Sequence, residues 1–461
     1  MPFRAPPRRP PVPFVSLLAV IRACLCASFV SLPAIPAALA AEGGPRISLI
    51  RDAETETLLR NFAAPLYRAA GLDAGLLRIQ VLRDGAINAF VTSGNRMYVH
   101  TGLLQQAGGA GEVIGVLAHE TAHIMHGDPV KLPEQMHAAL LQSIASALIG
   151  VAAGIGARQS DAGMAVMLGG QNMAMRQYLS HSRAQEIGAD QGGLALLDQN
   201  HWSGRGLLAM FDRLKDQELL AVGRQDPYLQ SHPLTRDRIE FVTEYVGRSP
   251  YRDRPFPPEF ETELQMVKAK LDGFLDAPAR VFQKYPATER AAPARYARAI
   301  AEYRSGRAAN SLGELDRLIV ELPGNPWLLE MKGQFLFETG RTREAVIALR
   351  AALRIGSEQP LIRLTMAHAL LESGDAQAVR PAIAELQSAL ARDREDPEIW
   401  RLLGRAWGLV NEIGQANLAL AEQAMLNGNI LMARRFAREA ARHLRVGPAK
   451  LRAEDIANVL K

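Results

Sequence analysis

Cysteine is almost absent from this chain of 461 residues, because its only two copies, Cys24 and Cys26, lie close to the N-terminus. The rest of the chain therefore has no disulfide framework, no thiolate metal ligand and no thiol nucleophile. Such a chain tolerates an oxidising compartment without needing one. At about 150 residues per domain, the length allows about three domains. A hydrophobic content of 48% and a charged content of 22% exclude wholesale disorder and a polytopic membrane protein.

Acidic residues are missing from the first 41 positions, which hold four arginines. Without those arginines the formal net charge of +5 falls to +1, so the basic composition gives no evidence for nucleic-acid binding. An apolar run over residues 23–39 follows the Arg- and Pro-rich start, and Ala38-Leu39-Ala40 ends it in the pattern of a signal-peptidase site. We therefore expect residues 1–40 to be a cleaved signal peptide. A transmembrane anchor is the alternative, but Pro33 and Pro36 interrupt the run.

Residues 41–247 mix helical and strand patterns and are expected to form one domain. The sequence predicts a helix over residues 53–70, and residues 77–82 alternate as a strand does. Two β-rich runs, 88–92 and 96–100, flank Ser93-Gly94-Asn95, which is typical of a hairpin turn. Residues 112–126 have helical periodicity. The proline-rich segment 248–258 is expected to be a linker.

Residues 259–461 have an almost entirely helical pattern that repeats. Gly333, Gly340 and Ala345 stand at the offsets of a tetratricopeptide unit, and Pro326 and Pro360 are 34 residues apart, which is the period of that repeat. Weaker copies precede and follow this unit, and the copy that passes through Gly374 holds a few extra residues. A helical solenoid would serve interaction rather than chemistry, since stacked hairpins leave a concave binding face. An ordinary helical domain is the alternative.

The strongest chemical motif is His119-Glu120-Thr121-Ala122-His123. Two histidines four residues apart lie on one face of a helix, one turn from each other, so both imidazoles can reach one Zn²⁺. Glu120 points to the same open side and can accept a proton from the water of a zinc peptidase. We therefore expect Glu120 to be catalytic and His119 and His123 to be metal ligands.

A catalytic zinc needs a third protein ligand. The metzincin spacing is excluded, because Pro129 stands where the third histidine would be. We expect Glu186 to be that ligand instead. Asp190, one helical turn further on, would then orient a ligand histidine through its distal ring nitrogen. The alternative for this segment is a solvated, charged helix face.

The remaining histidines give weaker signals. His232 lies in Ser231-His232-Pro233-Leu234, on a loop before a helix that is capped around Thr235. It is either a solvated loop residue or a removable fourth zinc ligand. His126 is expected near the site or at the surface, and no spacing signal marks His100, His137 or His181.

Residues 138–157 hold no charged side chain over a length that can span a bilayer. Their Ala-, Gly- and Ser-rich composition favours a packed or lid helix near the active site over a membrane-inserted segment.

Together these motifs resemble the periplasmic beta-barrel assembly-enhancing proteases, within the gluzincin family that also holds HtpX and the CaaX prenyl proteases. The resemblance rests on the His119-to-His123 motif, the Glu186-to-Asp190 motif, the Asn88-Ala89-Phe90 strand, the Ser-His-Pro-Leu segment and the repeats. It implies an α+β gluzincin domain followed by an all-α tetratricopeptide-like solenoid. It further implies one Zn²⁺ per chain on His119, His123 and Glu186, with Glu120 as general base and His232 as a regulatory fourth ligand. His126-Gly127-Asp128 departs from the Gly-Gly-His that related sequences often carry there.

We therefore expect an exported zinc endopeptidase of the periplasm, with protein substrates and no nucleic-acid partner. The resemblance implies quality control of misfolded or stalled outer-membrane proteins, with the repeats contacting the barrel-assembly machinery or its clients, and it leaves room for peripheral membrane association. One alternative is a chaperone or assembly scaffold whose zinc site is plugged and mainly structural. Another is an integral-membrane protease. Substrate is expected to pair as a strand along the edge formed by residues 88–92.

Overall fold

A four-stranded mixed sheet begins the described part of the chain; in this computed structural model the described residues are 48–92, 94–128, 183–215, 229, 232–356 and 359–459. The strands are β1 (Leu49–Ile50), β2 (Arg78–Leu82), β3 (Ala89–Thr92) and β4 (Arg96–His100), in the spatial order β1-β2-β4-β3. β2 and β4 run parallel, and the two outer pairs are antiparallel. Alternate residues of the two central strands are buried, which gives the sheet one face against the core.

Six helices with described bounds accompany the sheet in the first part of the molecule. They are α1 (Ala53–Ala69), α2 (Thr101–Gln106), α3 (Ala110–His126), α4 (183–199), α5 (Arg205–Leu214) and α6 (Arg236–Arg248). The Asp52 side chain caps α1 by accepting a hydrogen bond from the Thr55 amide at 2.8 Å. α1 and α3 pack against each other and against the sheet, so the helix that carries His119 and His123 is buried along most of its length.

The rest of the described chain is helical. Its helices are α7 (Pro258–Leu275), α8 (Pro278–Lys284), α9 (Ala292–Arg304), α10 (Ala308–Glu321), α11 (Pro326–Glu338), α12 (Thr342–Ile355), α13 (Pro360–Glu372), α14 (Val379–Leu390), α15 (Pro397–Leu409), α16 (Ile413–Leu426), α17 (Ile430–His443) and α18 (Pro448–Asn458). From α9 onward they form five consecutive helical hairpins. A 3₁₀ turn, Ala376–Ala378, accounts for the extra residues after Gly374. The prediction of an α+β domain followed by a helical solenoid is therefore confirmed.

Helix α7 joins the two parts. Its Leu264, Val267 and Leu271 lie in the core that contains the sheet, whereas Met266 lies in the core of the repeats. The ammonium of Lys270 on the same helix lies 2.5 Å from Asp52 and belongs to a buried cluster with two glutamates, Glu54 and Glu330. One helix thus serves two cores, and the predicted boundary at residues 248–258 stays a prediction.

Several expectations fall outside the described residues. They concern the signal peptide at 1–40, the apolar segment at 138–157, and the histidines His137 and His181. Within the described ranges, no helix is both long enough and apolar enough to cross a bilayer. The predicted strands at 77–82, 88–92 and 96–100 and the helices at 53–70 and 112–126 are confirmed to within two residues at either end.

Candidate metal centre

Helix α3 places the two motif histidines one turn apart in the interior. His119 is fully buried and His123 nearly so, and their Nε2 atoms face each other at 3.1 Å. α3 ends at Gly127, whose φ of 71° is the left-handed conformation that glycine adopts most readily. This ending turns the chain back, and Asp128 reaches the Nδ1 atom of His123 at 3.0 Å.

Helix α4 brings the two acidic residues to the same place. It approaches α3 so closely that a Cβ at Gly193 would lie 3.0 Å from the His119 amide nitrogen. Because of this approach, Glu186 Oε2 lies 3.3 Å from His119 Nε2, and its Oε1 lies 3.4 Å from His123 Nε2. Asp190 Oδ1 lies 2.9 Å from His119 Nδ1.

His232 enters from the segment before α6, whose first turn is capped by Thr235. Its Nδ1 lies 3.1 Å from Glu186 and 3.4 Å from His119 Nε2. Its Nε2 lies 3.4 Å from Glu120 Oε1. His232 is therefore buried within the cluster and is not a solvated loop residue.

Four side chains thus converge on one point. One ligand atom each from His119, His123, Glu186 and His232 lies within 4.8 Å of the other three. Asp190 and Asp128 accept hydrogen bonds from the Nδ1 atoms of the two motif histidines, which leaves the Nε2 lone pairs directed at the same space. Two converging lone pairs at 3.1 Å repel each other unless a cation lies between them. This donor set of imidazole nitrogens and one carboxylate fits Zn²⁺.

The surrounding charges also favour a cation. Burial raises the pKa of Glu186, but the nearby His232 and hydrogen bonds from His119 outweigh burial and hold the pKa well below its usual range. Burial likewise raises the pKa of Asp190, but hydrogen bonds from Arg238 and His119 outweigh it and lower the pKa. The carboxylates of this cluster are therefore ionised at neutral pH.

The imidazoles respond to the same carboxylates. Burial lowers the pKa of His123, but its hydrogen bonds to Asp128 and Glu186 outweigh burial and raise the pKa to about 10. Burial also lowers the pKa of His119, but its hydrogen bonds to Asp190 and Glu186 outweigh burial and raise that pKa. A cation that binds the Nε2 atoms competes with these protons, so metal affinity depends on pH.

Glu120 differs from the other carboxylates. It is fully buried, and neither of its oxygens accepts a hydrogen bond from the part of the chain that the structure describes. The hydroxyl of Tyr67 on α1 is also buried without a hydrogen-bond partner among those residues. Burial and the Glu120 carboxylate both raise the pKa of Tyr67, so the phenol is neutral. Glu120 is thus a buried base whose two oxygens accept no hydrogen bond from the described residues, and His232 lies beside it.

The sequence did not predict three residues of this site, which are Tyr67, Asp128 and Arg238. Arg238 is 1% exposed and binds both Asp190 and Glu186. The sequence does hold a signal for Asp128, because this residue directly follows Gly127, the glycine that ends the helix carrying both motif histidines. His126 is half-buried and packs near Gly188 and Gly192 of α4, and His100 lies at the end of β4, so neither is among the four converging side chains.

Comparison with known proteins agrees with this site. Residues 51–246 match the sequence profile of peptidase family M48, and residues 336–406 match a tetratricopeptide repeat. The chain is 23% identical over 379 residues to the Beta-barrel assembly-enhancing protease of Yersinia pestis, with 80% of this chain and 75% of that protein covered. It is 22% identical over 374 residues to the protein of the same name from Escherichia coli (strain K12), with 80% and 74% covered.

A solved structure titled MamA MSR-1 C2 covers 36% of this chain and 94% of its own, at 17% identity and a TM-score of 0.31, a similarity too weak to support an argument. The sequence profiles and the two relatives agree with the buried His-Glu-His cluster. This chain is therefore a metalloprotease whose residues 51–246 form a peptidase family M48 domain and whose C-terminal part carries tetratricopeptide repeats.

Proposed function

We propose that this chain is an exported zinc endopeptidase that removes misfolded or stalled outer-membrane proteins in the periplasm. The observation that carries the proposal is the convergence of His119, His123 and Glu186 on one point beside the buried carboxylate of Glu120. The two relatives are named as beta-barrel assembly-enhancing proteases, and this name supports the class of substrate.

The contacts support a set of three protein ligands. His119 and His123 offer Nε2, and Glu186 offers its carboxylate, so these three residues hold one Zn²⁺ per chain. Asp190 orients His119 and Asp128 orients His123, each through Nδ1. When bound, Zn²⁺ supplies Lewis-acid chemistry, which polarises a carbonyl and acidifies water.

Glu120 is the general base. Its carboxylate accepts the proton that the attacking water loses and then delivers that proton to the nitrogen of the leaving amine, so the carboxylate is regenerated at the end of the cycle. Because neither oxygen accepts a hydrogen bond from the described residues, no donor among them occupies the lone pair that receives the proton.

His232 regulates access to the site. Its imidazole lies between Glu186 and Glu120, in contact with both, and so occupies the space that a water and a scissile peptide need. In the resting enzyme His232 is a removable fourth ligand. Movement of its segment would free Glu120 to act.

Substrate adds as a strand to β3. This strand is last in the sheet order β1-β2-β4-β3, and it pairs with β4 through Ala89 and Val99 at its start. Hydrogen bonding between main chains depends little on the side chains of the substrate, which suits an enzyme that removes many unfolded clients.

The repeats supply the protein-binding surface. Stacked helical hairpins from α9 onward leave a concave face of the kind that binds extended segments. We place the barrel-assembly machinery or its clients there. Residues 1–40 would direct export and then be removed, which leaves the enzyme in the periplasm.

One observation favours a second function. Because His232 already provides a fourth donor atom, the site can also be that of a chaperone or assembly scaffold with a plugged, structural zinc. A scaffold would bind zinc but cleave nothing, including unfolded casein.

The test is to measure zinc content and casein cleavage on purified mature protein, before and after chelation and after zinc is restored. One zinc per chain and chelator-sensitive cleavage support the peptidase. Stoichiometric zinc without cleavage, in both the wild type and a His232→Ala variant, would support the scaffold function instead. N-terminal sequencing of protein from the periplasmic fraction tests export, and a chain that still carries residues 1–40 would contradict it.

A further inference from the structure

Arg238, which no sequence motif marks, contacts the site through all three nitrogens of its guanidinium. Its Nε and Nη2 donate to the two oxygens of Asp190 at 2.7 and 2.9 Å. Its Nη1 lies 2.9 Å from Glu186 Oε2 and donates to the carbonyl of Pro233 at 2.8 Å. The guanidinium also stands over the ring of Phe211, 5.1 Å from its centroid.

These contacts join three parts of the centre. Asp190 orients His119, Glu186 is the third ligand of the proposed zinc site, and Pro233 directly follows His232. A planar guanidinium can bind one carboxylate with two parallel bonds and still reach two further acceptors, which a lysine ammonium cannot do with the same geometry. Arg238 lies in the first turn of α6, so its bond to the Pro233 carbonyl ties the residues just before that helix to the helix itself.

We propose that Arg238 is a positioning residue that fixes the Glu186 carboxylate and the His232 segment relative to each other. This inference rests on the zinc site proposed above. The guanidinium holds the ligand through Nη1, and the same nitrogen holds the backbone beside His232. The third ligand and the removable fourth one therefore do not move independently.

A merely structural role makes a different prediction. A buried counter-charge for Asp190 and Glu186 would be served by any cation, and its loss would lower stability without changing the metal site of the folded protein. A positioning residue requires the planar guanidinium with its fixed set of donors, which lysine does not have. Loss of a hydrogen-bonding partner behind a ligand costs about 10- to 100-fold in metal affinity.

The experiment compares Arg238→Lys and Arg238→Met with Arg236→Met. Arg236 is exposed and lies two residues earlier in the same helical turn, so its variant removes the same charge away from the site. The zinc dissociation constant is measured by competition with a chelator, at a temperature where circular dichroism shows each variant to be folded. The visible spectrum of the Co²⁺-loaded proteins is recorded with and without His232→Ala, because this spectrum reports coordination without any activity.

We expect zinc to bind about 10- to 100-fold more weakly to both Arg238 variants, and within twofold of wild type to Arg236→Met. We also expect His232→Ala to change the Co²⁺ spectrum of the wild-type background more than that of Arg238→Lys, because His232 is already displaced in the latter. Wild-type affinity in Arg238→Lys would overturn the inference. If Arg238→Met does not fold, Arg238→Lys decides alone. Absence of zinc binding in the wild type would instead contradict the proposed zinc site itself.

Discussion

Asp128→Ala tests the part of the site that the sequence motifs do not include. Asp128 Oδ2 lies 3.0 Å from His123 Nδ1 and keeps the proton on that nitrogen. Without this acceptor the ring is free to carry its proton on Nε2, the atom that faces His119 and Glu186, and a protonated nitrogen cannot bind a metal. The variant is therefore expected to weaken zinc binding although Asp128 itself touches no metal.

The magnitude follows from the type of bond. A hydrogen bond to a charged group contributes about 1.5–3 kcal/mol, and each 1.4 kcal/mol corresponds to about a factor of ten. The expected loss of zinc affinity is therefore about 10- to 100-fold, the range found for partners behind metal ligands. Asp128→Asn retains one oxygen that can accept the bond but removes the charge, so its loss should be smaller than that of the alanine variant.

The assay is the zinc dissociation constant of wild type and both variants, at equal pH and ionic strength, with thermal unfolding as a check on folding. The expected order is wild type, then Asp128→Asn, then Asp128→Ala, from tightest to weakest. Equal zinc affinity in all three folded proteins would show that the tautomer of His123 does not depend on Asp128.

Two further predictions concern regulation and the junction of the two parts. His232→Ala should raise basal proteolysis, including self-cleavage, at unchanged zinc content; a lower rate with zinc still bound would exclude the plug. Lys270→Met leaves Asp52, Glu54 and Glu330 buried without their cation and should cost about 3–5 kcal/mol of stability. Burial raises the pKa of Glu54 to about 7 and also raises that of Glu330, whereas for Asp52 burial is outweighed by the nearby Lys270 ammonium, which lowers the pKa. Without Lys270 all three folded-state pKa values rise. The loss should therefore be largest at pH 8 and shrink as the pH falls towards 5, where protonation removes the unpaired charges, and thermal unfolding that shows equal losses at both pH values would contradict this.

The sequence could mark the proposed ligands because the geometry within each pair is local. His119 and His123 are one turn apart on a helix whatever the rest of the fold does, and Glu186 and Asp190 have the same relation on α4. What the spacing could not show is that α4 approaches α3 closely enough for the two pairs to meet. That approach depends on Gly193, whose missing side chain matters only once both helices are in place.

The partners behind the ligands could not be predicted for the same reason. Arg238 lies 48 residues from Asp190 in the chain, and no periodicity relates them. Tyr67 lies on the first helix of the fold and faces Glu120 only through tertiary packing. Helix α7 poses a related problem, since periodicity marks its apolar positions but not that Val267 and Met266 belong to different cores.

In the proposed mechanism Glu120 acts as the base in peptide hydrolysis, beside a zinc held by His119, His123 and Glu186. The most direct test of this mechanism is to measure zinc content and peptidase rate together on Glu120→Gln, whose amide has almost the shape of the carboxylate but cannot accept the proton. We expect one zinc per chain, an unchanged fold and a rate lower by about 10²- to 10⁴-fold. A rate within threefold of wild type, at full zinc content, would contradict it.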